Sequence, residues 1–332
     1  MRDRFYDNTR LAAGKRCLRK FYYRHVVDWN TTSFQKHLAF GSAWHAAMDS
    51  IWTQMSQKPN RNSMTQEIAE EAYSAFIENW MENNGPDPKE LGPEELKELA
   101  PQHPLIALEM LYEYVDARRP FFNDPTFELI DVERPFAVPL DPSDDTLFYV
   151  GRLDKVFRKN GLIHIGEHKT TSMYSREGQF RGIFIDSFSP NSQIDGYLHA
   201  AHMLYGERAS SLWVDAALVH RTVHDAFKFI PIDRQDTQLD AWLFDTRWWI
   251  GTIEDNWNRI EKLKSKEIDS PYMEAFPKNT EACQDYARNC PYIGICKMIP
   301  NPLKEQRTPD GFVEDKWSPF ERLELEKIGL EK

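Results

Sequence analysis

Asp154 and the run Glu167-His168-Lys169 lie thirteen residues apart, with a Lys-Asn-Gly turn at 159–161 between them. Alternate side chains of a strand share a face, so Glu167 and Lys169 fall with Ile163 and Ile165, and Asp154 with Val150, Arg152 and Val156. A hairpin about the turn then sets Asp154 beside Glu167. Two carboxylates held close repel each other unless one takes a proton or a cation sits between them. Mg²⁺ and Mn²⁺ are cations that take such oxygen ligands, and one or two carboxylates plus a substrate phosphate is the usual Mg²⁺ arrangement. Lys169 beside that ion would orient a water or stabilise charge developing on a phosphate. The same residues also fit a surface strand with an exposed Glu–Lys pair, so by themselves they leave both readings open.

The elements that would position them can be read from the hydrophobic pattern. Residues 1–52 read as helices, carrying "GKRCLRKFYYRHV" and "HLAFGSAWHAAMDSIW". Residues 53–120 are helical and polar, broken by Pro-, Gly- and Asn-rich loops at "NNGPDPKELGPEE" and "APQHP", and have the texture of a helical insertion. From Phe127 the pattern changes to three strand-like runs, "FELIDVERPFAVPL", "TLFYVGRLDKVFR" and "GLIHIGEHKT", as in an antiparallel meander. "SPNSQIDGYLHAAHMLYG" is a helix with a Ser or Asn cap and a Gly stop; "SLWVDAALVHRT" and "DAFKFIPIDR" are two further strands. A long helix with four tryptophans spans 234–266, simplest as packing. Strands, helix and strands between flanking helices make a mixed α/β protein. The parts divide as 1–52, the 53–120 insertion, a sheet core over 127–232, a helix and cysteine segment over 233–300 and a tail over 301–332, together one domain.

The 332 residues hold 41 Lys and Arg against 52 Asp and Glu, a net charge of −11, which disfavours a uniformly basic nucleic-acid binder. Charge is segregated, however: residues 1–25 carry eight basic side chains against Asp3 and Asp7. No run nears 18 apolar residues and "MRDRFYDNTR" has no apolar signal region, so no membrane association is expected and the expected compartment is the cytoplasm. Of the four cysteines, Cys17 stands alone near the N-terminus while Cys283, Cys290 and Cys296 cluster near the C-terminus. In a reducing compartment that grouping points to a metal or cluster before disulfides. His199 and His202, at i and i+3 on one helix, have no acidic or cysteine partner in sequence and read as core or surface residues. The His168 ring points away from Glu167 and Lys169 and reads as structural.

Taken together, Asp154 in "GRLDK" and Glu167-x-Lys169 in "EHK" resemble the core of the PD-(D/E)XK nuclease superfamily. Further motifs are similar to its RecB-like branch. "GSAWHAAMD" has the form G-x-x-x-H and makes His45 a metal ligand; "QIDGY" has the form Q-x-x-x-Y and brings Gln193 and Tyr197 to the site; "CLRKFYYR" resembles the branch's entry helix. One cysteine at the N-terminal end and three at the C-terminal end resemble the iron–sulfur members, such as CRISPR-associated RecB-like exonucleases. By that resemblance Cys17, Cys283, Cys290 and Cys296 bind a [4Fe–4S] cluster; a Cys₄ zinc site is the competitor. Cys283 and Cys290 are separated by six residues where the commoner pattern has two.

The resemblance implies a restriction-endonuclease-like core and Mg²⁺- or Mn²⁺-dependent hydrolysis of DNA, acting as an exonuclease on single strands or ends. His45, Asp154, Glu167 and the His168 carbonyl would hold the metal. Asp154, Glu167, Lys169, Gln193 and Tyr197 would form the catalytic group. Arg16, Arg19, Lys20 and Arg24 would contact the nucleic-acid backbone, and Phe21, Tyr22 and Tyr23 would stack on bases or pack in the core. The alternative is a non-catalytic, cluster-stapled DNA-binding subunit of a repair, recombination or CRISPR-adaptation complex. Hydrolysis of another phosphate ester is weaker still. There is no G-x-x-x-x-G-K-[ST] segment, so motor action would need a helicase partner.

Overall fold

The structure is a computed structural model, and it describes residues 4–57, 65–175, 179–206, 209–263, 270–285, 288–305 and 307–323. Arg2 and Asp3, counted in the N-terminal charge run, lie outside the described residues. The chain begins with β1 (Arg4–Tyr6), α1 (Asn8–Arg16), α2 (Leu18–His25), β2 (Trp29–Thr31), α3 (Lys36–Gln57), α4 (Thr65–Glu82), α5 (Pro93–Leu99) and α6 (Pro104–Phe122). It continues through β3 (Glu128–Pro139), β4 (Leu147–Lys159), β5 (Leu162–Thr171), α7 (Gly182–Asp186), α8 (Ser192–Tyr205), β6 (Ala209–Leu218) and β7 (Phe227–Ile232). It ends with α9 (Asp236–Leu263), β8 (Gln284–Asp285), β9 (Arg288–Asn289), α10 (Ile293–Met298), β10 (Phe312–Glu314) and α11 (Pro319–Leu323). Two compact units divide these elements. The first takes Met1–Ser33, Pro135–Gly151 and Asp236–Lys332, the second Phe34–Arg134 and Arg152–Gln235; the chain passes from one to the other within β3 and within β4.

In the second unit, β4 and β5 are an antiparallel hairpin with Lys159 opposite Leu162. The two residues between, Asn160 and Gly161, have φ of 53° and 80°, the left-handed pair that a two-residue hairpin turn requires. The meander stops there, because β6 lies parallel to β5, with Glu167 opposite Val214, and β7 returns antiparallel. A parallel neighbour needs a crossover, and α8 lies on it. Asn191 caps α8 by accepting from the Gln193 and Ile194 amides, and Gly206, at φ 64°, ends it. β5 is thus an inner strand. Glu167 and His168 are 1% and 0% exposed, which rules out the surface-strand reading.

Helices cover this mixed sheet. α4 and α6 pack against α3 around a core of Phe40, Trp44, Trp52, Phe76, Trp80 and Tyr114. α3 and α8 both pack on β5. The "GPEE" stretch expected as loop forms α5, because Pro93 occupies the first helical turn with Glu94 and Glu95 favouring its N-terminus.

In the first unit, β1 runs parallel to the start of β4, and β2 pairs with β10. Asp7 caps α1 by accepting from the Arg10 amide at 2.7 Å. Gly14 is where α1 meets α9: a β-carbon there would come within 2.4 Å of the Ile253 side chain. Trp29, Tyr23, Tyr292 and Phe312 stack in succession with ring centroids 5.3–5.6 Å apart, tying the cysteine segment to α2. Among the described residues no helix is long and apolar enough to cross a membrane.

Candidate active site

Every side chain expected in the catalytic group lies in the second unit. Asp154 leaves the middle of β4. One of its oxygens accepts the His168 amide at 2.9 Å and lies 3.2 Å from His45 Nδ1 on α3. One turn along α3, Asp49 is paired with the ammonium of Lys155, a lysine with no exposed surface whose Nζ also donates to the Asp154 carbonyl at 3.1 Å. The Asp49–Lys155 pair docks α3 on β4 and so sets the height of His45 over Asp154.

Two residues along β5, the Lys169 ammonium pairs with Glu167 Oε1. Gln193, in the first turn of α8, uses both ends of its amide there. Its Oε1 accepts from Lys169 at 3.1 Å, and its Nε2 donates to Glu167 Oε1 at 3.1 Å and to the Tyr197 hydroxyl at 3.2 Å. Glu167 Oε2 is buried with no partner.

The charges in this pocket are unevenly balanced. Burial, then the charge of Asp154, pushes Glu167 up to about 7. Asp154 is held well below the usual carboxylate range; burial opposes this, but the charge and hydrogen bond of His45, then Lys155, outweigh it. His45 rises despite burial because of Asp154, and Lys169 rises despite burial because of Glu167. Burial followed by Lys155 keeps His168 neutral. Its ring packs edge-on to Trp52 and lies by Asp215, which accepts from Tyr114 and Arg118 of α6.

One acidic residue at the site was not singled out from sequence. Glu133 of β3 brings a carboxylate oxygen to within 4.8 Å of ligand atoms of both His45 and Asp154. Burial, then Asp154 and Asp49, pushes it up to about 7. Its position depends on a left-handed residue inside a strand, φ 53°, which an apolar–polar pattern does not reveal. An imidazole with two carboxylates fits a hard divalent ion, and the unpartnered Glu167 oxygen supplies a further acceptor at the same pocket.

The basic entry helix departs from expectation. Arg19 is 2% exposed and its guanidinium donates to the carbonyls of Phe276, Pro300 and Met273, so it closes the cysteine segment and faces no phosphate. Arg24 is bound to Asp315. Arg16 and Lys20 are half-buried, and Phe21, Tyr22 and Tyr23 are core residues at 0–2% exposure. Tertiary packing has claimed this helix.

All four cysteines are free, half-buried and in the first unit. Cys17 lies between α1 and α2 and accepts the Asn279 amide at 3.4 Å; the Cys290 amide donates to the Cys283 carbonyl at 2.8 Å; Cys296 sits in α10. Burial raises the Cys290 and Cys296 thiols, and Cys17 and Cys283 add to the rise in both. No three of these sulfurs lie mutually within 4.8 Å.

A family model described as the PD-(D/E)XK nuclease superfamily matches residues 8–297. The chain belongs to that superfamily. No curated protein matches it. The span that marks this PD-(D/E)XK protein runs from α1 to α10 and takes in both the carboxylate–lysine pocket and all four cysteines. The mixed sheet between helices is the restriction-endonuclease-like architecture of the superfamily.

Proposed function

We propose that this PD-(D/E)XK nuclease is a divalent-metal-dependent deoxyribonuclease that works as an exonuclease on single strands or DNA ends. One observation carries the reading: a lysine ammonium, held between a carboxylate and an amide, stands beside a His–Asp–Glu group, half-buried about a buried Asp154 and fit for a cation. His45, Asp154, Glu133 and Glu167, with the His168 carbonyl, would hold one or two Mg²⁺ or Mn²⁺ ions. A bound divalent ion supplies Lewis acidity and neutralises charge on the phosphodiester. Lys169 directs its ammonium at the attacking water or the scissile phosphate. Gln193 keeps Lys169 and Glu167 in register, and the Tyr197 hydroxyl restrains Gln193 from behind. Asp154, fixed by the His168 amide, stays ionised throughout.

The exonuclease reading follows the resemblance to the RecB-like branch, and so does a [4Fe–4S] cluster on Cys17, Cys283, Cys290 and Cys296. Cys17 and Cys283 both act on the Cys290 and Cys296 thiols, which groups the four around one site, and a Cys₄ zinc ion is the competitor. Lys20 of the entry helix and Arg16 before it, both half-buried, would meet the DNA backbone, and a helicase or recombination protein is the partner class. End-labelled linear and circular DNA, single- and double-stranded, incubated with Mn²⁺, Mg²⁺ or EDTA, tests the reading. Release of nucleotides from linear ends with either metal is expected. Cutting of circular single strands would replace the exonuclease assignment, and intact DNA in every arm would end the nuclease one. Anaerobic purification should yield a brown protein with iron and sulfide, where a colourless zinc protein rejects the cluster.

A further inference from the structure

The C-terminal ends of β5 and β6 lie side by side, with Thr171 opposite Leu218 and the Val219 amide donating to the Thr171 carbonyl at 2.8 Å. Lys169 is two residues before that end. The chain leaves each strand into a turn, and the two turns place a ring against a ring. Tyr174 and His220 have centroids 4.3 Å apart with planes at 82°. Tyr174 is 50% exposed. A single exposed aromatic is unremarkable in itself, but three further facts give this one a use.

The ring is held in place: a bridge between Tyr174 and Phe180, with the Ser175 amide donating to the Gln179 carbonyl at 2.7 Å, fixes its backbone, and His220 supports its side. Little side-chain freedom is then lost when something stacks on it. Two cations flank it in sequence: Arg181 follows Phe180, which bridges Tyr174, and Arg221 follows His220; both are exposed and make no ion pair among the described residues. And the platform is close to the chemistry, since the five residues from Lys169 to Tyr174 span at most about 17 Å, the reach of a few nucleotides.

We propose that Tyr174, backed by His220, is a stacking platform for an unpaired base of single-stranded DNA, that Arg181 and Arg221 take the neighbouring phosphates, and that this platform selects single strands at the active site. The proposal rests on the nuclease reading above. A base inside a duplex has both faces covered by its neighbours, so it offers nothing to a lone exposed ring. An unpaired base has a face free for it.

The test uses the full chain and its variants Tyr174→Ala, Tyr174→Phe and the double Arg181→Ala/Arg221→Ala, with KM and kcat measured on a single strand and on a blunt duplex in Mn²⁺. Loss of one stacked base is worth about 5–150-fold in affinity, so Tyr174→Ala should raise the single-strand KM by that factor. Its kcat should stay within about twofold and its duplex KM unchanged. Tyr174→Phe should behave as wild type. The double arginine variant should lower the salt slope of single-strand binding by about 1.4. A single strand carrying a fluorescent adenine analogue, titrated in EDTA, reads stacking without hydrolysis: quenching is expected with wild type and absent with Tyr174→Ala. An unchanged single-strand KM, or undiminished quenching, in Tyr174→Ala overturns the platform while leaving the nuclease reading intact. Wild type that quenches but degrades nothing ends the nuclease reading while leaving the platform standing.

Discussion

The carboxylate–lysine pocket of the second unit and the four thiols of the first are built in opposite ways. The pocket stands on β4, β5, α3 and α8, long elements whose own hydrogen bonds and core contacts are complete. Asp154, Lys155 and Glu167 in it are buried, and burial drives Glu133 and Glu167 up to about 7. Folding therefore holds the site open against its own electrostatics. Cys17 lies between α1 and α2, while the other three thiols stand on or beside a 3₁₀ turn (Thr280–Ala282), a hairpin of two-residue strands and a six-residue helix, all too short to be stable alone, and all four are half-buried. There the ligand would complete the fold. Loss of the group should consequently silence the pocket without unfolding it, and unfold the thiol region.

The largest expected effect tests the pocket's half of that difference. Asp154→Ala and Lys169→Ala should each cut metal-dependent DNA degradation by about 10²–10³-fold or more, in protein that still unfolds cooperatively in EDTA. Residual activity above a tenth of wild type, in protein shown folded by circular dichroism, removes the residue from the reaction. The mirror experiment is Cys17→Ser. A group bridging Cys17 to Cys283–Cys296 closes a loop of more than 260 residues, and a cross-link of that span constrains the unfolded chain by about 5–6 kcal/mol. The anaerobically prepared variant should melt about 8 °C lower. An unchanged midpoint would erase the contrast between the two regions.

What was legible in the sequence divides along the same line. The hairpin was readable because Asn160-Gly161 is turn chemistry with few alternatives, and once the hairpin is placed, Asp154, Glu167 and Lys169 follow by alternation. Gln193 and Tyr197 were legible through the resemblance of "QIDGY" to Q-x-x-x-Y, and helical spacing sets the two one turn apart. Tertiary choices were not. Nothing local to "VERPF" says that Glu133 adopts a left-handed backbone and turns to the pocket. Nothing in the amphipathic α6 says that Tyr114 and Arg118 reach Asp215 beneath His168. The entry helix misled for a related reason: an Arg-rich run looks solvated until three carbonyls from 273–300 are found around Arg19.

A smaller effect sharpens the claim that rigid elements aim the pocket. Lys155 has no exposed surface and counters Asp49 beside Asp154. Lys155→Met removes the cation and leaves the carboxylate without it, a loss of about 2–3 kcal/mol given that Asp49 is partly exposed. The double variant Asp49→Asn/Lys155→Met removes both charges and should recover most of that stability. If α3 is held by the pair, the double variant should still bind Mn²⁺ more weakly than wild type, as read by calorimetry, because His45 is no longer clamped over Asp154. Wild-type Mn²⁺ affinity in the double variant would confine the pair to a structural role.

The smallest effect is a pH slope, and its window below pH 7.5 belongs to the pocket. Glu133 and Glu167 rise from 4.5 to about 7 in the folded chain. The folded state thus holds their protons more tightly than the unfolded one, so their contribution is fully present below pH 4.5 and is lost as pH rises toward 7. Asp154, held low, contributes in the opposite sense, and that contribution is lost only as pH falls below its ordinary 3.8. In EDTA the midpoint should therefore fall between pH 5 and 7.5. Glu133→Gln, which removes one of the two raised carboxylates, should flatten the fall by about 3–6 °C. Saturating Mn²⁺ should abolish the slope in wild type, since an ion in the pocket keeps both carboxylates ionised without cost. A slope that is the same in Glu133→Gln as in wild type would place the titrating groups elsewhere, and the pocket would then no longer be the region that folding holds open against its own charge.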